Sequence, residues 1–135
     1  MKKIIANIDK CTGCEICTLI CSFNAWEGFN THKGKLKVDL FDKGVFNSVR
    51  VCQQCENPVC EKVCPVNAIK INEDKGIVEI NEDKCIGCGI CVEECPYDAI
   101  WMNKEMKLAY KCDLCGGDPL CVKYCPANAL VVVNQ

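Results

Sequence analysis

The 135-residue chain has a single histidine, His32, and no apolar run long enough to cross a bilayer. One histidine cannot supply both axial ligands of a bis-histidine haem. No glycine-rich phosphate loop is present, and no stretch is left over for a nicotinamide or flavin fold. Positive charge is not in excess. Sixteen Lys and Arg stand against eighteen Asp and Glu, a net charge of −2, so the electrostatic footprint of a nucleic-acid binder is missing. The basic stretch HKGKLK at 32–37 reads as a solvated strand or loop, and His32 as a surface residue. The start, MKKIIANIDK, has only a brief apolar patch before Asn7 and Asp9. It reads as neither a secretory signal nor a twin-arginine leader. The expectation is a cytoplasmic protein without direct membrane insertion, in a reducing compartment that disfavours structural disulfides. Export on a partner that carries a signal is the alternative.

Ordinary core residues are also scarce. Half the chain counts as hydrophobic, but sixteen of those residues are cysteines. Removing them leaves about 38% apolar, thin for so short a chain. A small domain with a poor core needs covalent or metal staples. The cysteines are therefore expected to serve the core as well as any chemistry.

Those cysteines fall into four quartets. Cys11, Cys14, Cys17 and Cys21 are separated by two, two and three residues, and Cys85, Cys88, Cys91 and Cys95 repeat that spacing. Cys52, Cys55, Cys60 and Cys64 are separated by two, four and three; Cys112, Cys115, Cys121 and Cys125 by two, five and three. The flanks repeat as well. IDKCTGC matches NEDKCIGC, and CPVNAIKI, CPYDAIWM and CPANALVV share Cys-Pro-x-x-Ala-Ile/Leu. Such internal duplication excludes chance spacing.

Disulfides do not suit thiols packed this tightly and regularly. Four-cysteine zinc sites usually join two C-x2-C pairs across about fifteen to twenty residues, whereas each quartet here is one short segment. C-x2-C-x2-C-x3-C-P is the bacterial ferredoxin run that holds a [4Fe–4S] cluster, and the third motif matches it through Pro96. Three close thiolates on a tight loop can cap three irons of a cubane. Gly13, Gly87 and Gly89 stand where small residues would let backbone N–H groups approach the cluster sulfurs, or where a turn simply needs glycine. The proline after the fourth cysteine should stop the short helix that carries it. The first motif has Ser22 there, so its helix is expected to run on through SFNAW.

In two-cluster ferredoxins the fourth cysteine ligates the other cluster. The third and fourth cysteines are i and i+4, so on a helical turn their Cβ atoms are about 5–6 Å apart. Clusters that share such a helix are close neighbours, as one-electron transfer requires.

Strand signals suggest which motifs pair. VRV at 49–51 leads into motif two, AIKIN (68–72) and IVEIN (77–81) flank EDKG as a hairpin, and AIWMN (99–103) follows motif three. Residues 45–104 thus read as one complete two-cluster unit. KKIIANI (2–8), KLKVDLF (35–41), MKLAY (106–110) and ALVVV (129–133) frame motifs one and four as an outer unit, 1–44 and 105–135. The expected fold is α+β: tandem, nested two-[4Fe–4S] ferredoxin-like units with short strands and short helices around four clusters. The expected wiring is Cys11, Cys14, Cys17 with Cys125; Cys112, Cys115, Cys121 with Cys21; Cys52, Cys55, Cys60 with Cys95; and Cys85, Cys88, Cys91 with Cys64. Sequential pairing, one with two and three with four, is the rival. It leaves the terminal strands in separate units without evident partners.

With these motifs the chain resembles the four-cluster iron–sulfur subunits that serve molybdenum and tungsten oxidoreductases, hydrogenases and carbon monoxide dehydrogenases. CSFNAWEGFN, VCQQCENPVCEKVCPVNAI and KCDLCGGDPLCVKYCPANAL look most like the small subunits of tungsten-containing aldehyde ferredoxin oxidoreductases. The resemblance implies an electron-transfer subunit, non-catalytic by itself, beside a larger catalytic subunit that is a tungstopterin enzyme. An external ferredoxin or flavoprotein would be its second partner. A subunit of a hydrogenase, formate dehydrogenase or carbon monoxide dehydrogenase, or a free soluble polyferredoxin, is the alternative. Four thiolates and an oxidised cubane total −2, so four clusters would make the holoprotein distinctly acidic. Trp26 and Trp101 read as core packing, or as shields for clusters. SFNAWEGFNTHKG at 22–34 is too long for a ferredoxin turn and reads as a docking segment, with a packed lid as the other reading. CGGDPLC reads as a contact loop or a glycine-rich turn.

Overall fold

A computed structural model describes residues 2–41 and 46–134. The end of the outer unit at 42–44 and the start of the inner one at 45 lie outside the described residues. The elements are short and alternate with the cysteine loops. They run β1 (Lys2–Ala6), α1 (Ile16–Trp26), a 3-10 turn (Thr31–Lys33), β2 (Leu36–Phe41), β3 (Phe46–Val51), α2 (Val59–Val63), β4 (Ile69–Asn72), β5 (Ile77–Ile80), α3 (Ile90–Glu94), β6 (Trp101–Asn103), β7 (Leu108–Tyr110), a 3-10 turn (Leu114–Gly117), α4 (Leu120–Tyr124) and β8 (Leu130–Asn134). All eight strand signals are strands, and the fold is a small α+β assembly.

Helix lengths follow the residue after each fourth cysteine. α2, α3 and α4 have five residues each and stop just before Cys64-Pro65, Cys95-Pro96 and Cys125-Pro126. α1 has Ser22 in that place and continues to Trp26. Ser22 is fully buried. Its hydroxyl lies 2.9 Å from the Leu19 carbonyl and 2.8 Å from the Gly28 carbonyl, and accepts the Asn30 N–H at 3.0 Å. The residue that fails to stop the helix thus folds the following loop back onto it.

Four antiparallel pairs make up the sheets. β1 pairs with β8 from Lys2↔Asn134 to Ala6↔Leu130, which joins the two ends of the described chain. β4 pairs with β5 around EDKG. Nesting sets β2 and β7 where an outer hairpin would stand, but these two strands do not pair with each other. β2 pairs with β3 in register Leu36↔Val51 to Leu40↔Asn47, and β6 with β7 in register Trp101↔Tyr110 to Asn103↔Leu108. Both hairpins therefore straddle the expected unit boundaries. Closing a loop of a few residues costs far less chain entropy than closing one across the whole inner unit.

These two hairpins face each other. The Lys37 ammonium lies 5.1 Å from the Trp101 ring centroid and 5.5 Å from that of Tyr110, and the Arg50 guanidinium lies 5.9 Å from Trp101. Arg50 holds Asp39 through two N–H bonds of 2.7 and 3.2 Å and reaches Asp98 at 2.7 Å. Trp26 meets Tyr110 edge-on at 5.7 Å and donates to the Lys33 carbonyl at 2.8 Å. Both tryptophans thus pack structurally, at the joint between the halves.

The main core joins Ile4, Leu36, Val51, Ile77, Leu114 and Leu130 with Cys21, Cys52, Cys112 and Cys121. Among the described residues, four of its ten buried members are cysteines, so thiols do supply the core that the apolar residues cannot. A second cluster gathers Ile69, Val78, Ile100 and Ala109 around Cys91.

Gly87 shows where backbone approach is decisive. Its φ is +73°, and a Cβ built on it would lie 2.3 Å from the Lys107 carbonyl oxygen. Gly89 also has positive φ, but nothing lies within 4 Å of its Cβ position. Gly87→Ala should therefore destabilise the holoprotein by roughly 2–5 kcal/mol, combining left-handed strain with overlap. Gly89→Ala should cost only about 1–2 kcal/mol, for strain alone. Anaerobic thermal melts of the two variants give the ordering directly; equal losses would remove the role assigned to the Lys107 contact.

Candidate metal centres

The second residue between the first two cysteines adopts a left-handed conformation in every motif. The φ values are 71° at Gly13, 48° at Gln54, 73° at Gly87 and 54° at Leu114. This turn lets two cysteines three positions apart face the same space. Glycine occupies it where a hairpin comes close, beside Leu40 and Asn47 at Gly13 and beside Lys107 at Gly87. Gln54 and Leu114 occupy it in the interior, where both are buried.

The Cys-Pro-x-x-Ala repeats have a matching reason. Asn67, Asp98 and Asn128 have φ of 54°, 51° and 53°, a conformation that Asn and Asp tolerate better than most residues. The reversal aims the next N–H back at the fourth cysteine. Ala68 N–H reaches Cys64 Sγ at 3.2 Å and Ala129 N–H reaches Cys125 Sγ at 3.3 Å. The Asn before Ala68 and Ala129 is the sequence signal for these bonds, and cysteine spacing alone does not show it. In the first motif Lys35 N–H serves Cys21 Sγ at 3.1 Å instead. Backbone N–H groups also approach Cys52, Cys85 and Cys112, from Gln54, Ala109 and Leu114 at 3.4, 3.5 and 3.4 Å. Such donors stabilise thiolate charge and tune any metal it binds.

Three cavities of nearly equal size are lined by four cysteines each. Cys11, Cys14, Cys17 and Cys125 surround the first, Cys52, Cys55, Cys60 and Cys95 the second, and Cys64, Cys85, Cys88 and Cys91 the third. In each, the fourth cysteine comes from another motif. Cys21, Cys112, Cys115 and Cys121 form the remaining neighbourhood: Cys21 interacts electrostatically with Cys115, and Cys121 with Cys112, Cys21 and Cys115. Among the described residues no three His, Cys, Asp or Glu side chains converge on a single-ion site. A four-cysteine zinc site holds its thiolates about 2.3 Å from one metal, whereas these quartets enclose space. Equal four-thiol cavities with N–H groups aimed at sulfur fit a cubane cluster.

Burial and mutual repulsion act on the thiols. Burial, with nearby cysteines, pushes Cys17 and Cys112 up to about 12 and Cys60 and Cys91 up to about 11. It raises Cys121, Cys21 and Cys55 as well. Cys64 is the exception. Burial opposes its charge, but N–H groups of Ala68, Val66, Ile69 and Asn67 outweigh that and lower its pKa. Metal must displace protons from most of these thiols, which makes assembly proton-coupled.

Exposure differs along the set. Cys14 and Cys88 are exposed, whereas the sets containing Cys52 and Cys112 have no exposed member. Phe23 and Phe29 stack at 4.7 Å with an interplanar angle of 13°, and both remain exposed. CGGDPLC forms a tight turn with positive φ at Cys115, Gly116 and Gly117. His32 is exposed. Among the described residues no helix is long and apolar enough to cross a membrane.

Residues 43–135 match the family described as the 4Fe-4S dicluster domain, and residues 8–24 match a 4Fe-4S binding domain. The chain belongs to the 4Fe-4S dicluster family. It is an iron–sulfur, ferredoxin-like chain, and its sixteen cysteines are the complement of four [4Fe–4S] clusters. Similar proteins include a subunit of the tetrathionate reductase of Salmonella typhimurium, 36% identical over 83% of this chain and 47% of that protein. The polyferredoxin-like subunit of an aliphatic sulfonate oxidoreductase from Pyrococcus furiosus is 36% identical over 86% of this chain and 66% of that one. The dicluster chain thus spans about half to two thirds of the length of these curated relatives. Among solved structures, a chain of the active-site complex BamBC of benzoyl coenzyme A reductase superposes with a TM-score of 0.58 at 26% identity, covering 98% of this chain and 79% of that one.

Proposed function

We propose that this dicluster-family chain is the electron-transfer subunit of a molybdenum- or tungsten-type oxidoreductase, relaying single electrons between a larger catalytic subunit and an external carrier. The carrying observation is the continuity of the cysteine neighbourhoods from one exposed thiol to the other. Cys17 and Cys21 share α1, and Cys121 and Cys125 share the α4 region, which packs against it. Cys60 and Cys64 share the α2 region, and Cys91 and Cys95 the α3 region packed on it. Cys112 interacts with Cys52 and joins the two halves. The resulting order runs from the Cys14 site through the Cys112 and Cys52 sites to the Cys88 site, with the nested wiring and the unit boundaries 1–44, 45–104 and 105–135 as part of the proposal. Each cluster, when bound, supplies one-electron chemistry between 2+ and 1+ states. The chain's own residues leave no exposed cysteine at the two middle sites and present the outer two to partners.

The narrower reading is a tungsten aldehyde oxidoreductase subunit, supported by the CSFNAWEGFN and CDLCGGDPLC strings. Native purification with the associated large subunit, followed by metal analysis, tests it: tungsten supports it, whereas molybdenum or nickel alone assigns another member of the group. A ferredoxin or a flavoprotein would serve as the outside carrier. A chain that purifies alone and exchanges electrons with unrelated enzymes would make it a free polyferredoxin.

Within the 22–34 docking segment Trp26 is held by Lys33 and Tyr110, so the exposed Phe23–Phe29 stack is the better anchor for the catalytic subunit. Phe23→Ala with Phe29→Ala should weaken that complex at least about tenfold, as loss of aromatic anchors does, while iron content and cluster EPR signals stay unchanged. Unaltered affinity would move the docking site elsewhere.

A further inference from the structure

Lys111 lies at the joint between the two middle cysteine sites and is only 4% exposed. Its ammonium donates to the Val78 carbonyl and, at 3.1 Å, to the Cys112 carbonyl. Gln54 spans the same two residues: its side-chain N–H reaches the Cys112 carbonyl at 2.8 Å, and its carbonyl oxygen accepts the Val78 N–H at 2.8 Å. The ammonium is thus clamped in one place. Among the described residues no carboxylate forms an ion pair with it; nearby Asp113 is paired with Lys35 at 3.3 Å. Buried charges are ordinarily paired or held beside metals. The cysteines on which its charge acts are Cys55 and Cys60 on one side and Cys112 on the other, and these become the opposite charges when a cluster takes them as thiolates.

We propose that Lys111 is an electrostatic positioning residue whose clamped positive charge raises the reduction potential of the cluster held by Cys52, Cys55, Cys60 and Cys95. The inference rests on the four-cluster wiring above. Reduction adds one negative charge to a site that already carries excess negative charge. A fixed cation in a low-dielectric interior favours the reduced form. Val78, whose carbonyl takes the ammonium, lines the cavity of Cys52, Cys55, Cys60 and Cys95, and the charge of Lys111 acts on Cys55 and Cys60 there, so this site should feel it. The residue stands between the outer and inner halves, where an electron passing from one to the other must dwell.

Three variants of the full-length holoprotein test this by anaerobic potentiometric titration followed by EPR. Lys111→Met removes the charge at similar length and should disfavour reduction of one cluster at least tenfold, which is about 59 mV for one electron. A Cys55→Ser variant, which alters the spectrum of that site, assigns the shifted signal. Lys111→Arg keeps the charge and should keep the potential. Gln54→Leu breaks the same bridge without changing charge and should shift the potential far less; leucine already occupies the equivalent turn at Leu114. Unchanged potentials in Lys111→Met, or equal shifts in Lys111→Met and Gln54→Leu, would overturn the proposal. Loss of iron from the Met variant with retention at native potential in the Arg variant would support it, and loss from both would overturn it, because shape rather than charge would then be what matters. Fewer than four clusters in the unaltered protein would instead refute the wiring on which the inference rests.

Discussion

Replacing Cys125 by alanine should damage the cluster bound to Cys11, Cys14 and Cys17, at the opposite end of the sequence, and leave the inner pair intact. Cys125 lines the same cavity as those three thiols, and its Sγ accepts the Ala129 N–H. With only three thiolates the site should lose its cubane or keep a three-iron remnant, so total iron should fall from about sixteen to between about twelve and fifteen. Iron and sulfide analysis gives the loss, and EPR identifies which signals persist. A change confined to the Cys85, Cys88 and Cys91 site would instead favour sequential pairing of motifs. The full chain is the right material. Residues 45–104 alone would leave β3 and β6 without the β2 and β7 strands they pair with.

Removing the iron should unfold the entire chain. Among the described residues, four of the ten buried members of the main core are cysteines, and three four-thiol cavities would stand empty. In small metal domains the binding free energy is largely the folding free energy. Anaerobic chelation should therefore abolish far-UV circular dichroism structure and the cooperative melt together. Retention of both in the iron-free protein would refute this. The pH dependence has a definite sign. In a metal-free fold the thiols are raised, to about 11 or 12 at Cys60, Cys91, Cys17 and Cys112. Whatever stability that fold retains is present below the unfolded thiol value of about 8.5–9 and is lost as pH rises toward 11–12. Cluster binding runs the other way, because protons compete with iron for thiolate, so iron release should accelerate as pH falls.

Much of this protein is legible in its sequence because cluster ligation is local. Three thiolates per motif sit within a few residues, so their spacing alone announces the chemistry. The helix stops are equally local: proline after Cys64, Cys95 and Cys125, and serine after Cys21, account for three short helices and one long one. The strands follow from alternating β-branched runs beside each motif. The tertiary structure decided what depends on distant groups meeting. Hairpin closure over a few residues prevailed over pairing across the inner unit, so β2 joined β3 and β6 joined β7. Trp26 and Phe29 looked alike in a polar loop, but only Trp26 found a carbonyl for its N–H and the Tyr110 ring. Lys111 reads as an ordinary lysine beside Cys112. It becomes a buried cation only because Val78, Gln54 and two cysteine sites fold around it, and no local pattern encodes a neighbourhood assembled from separate stretches of chain.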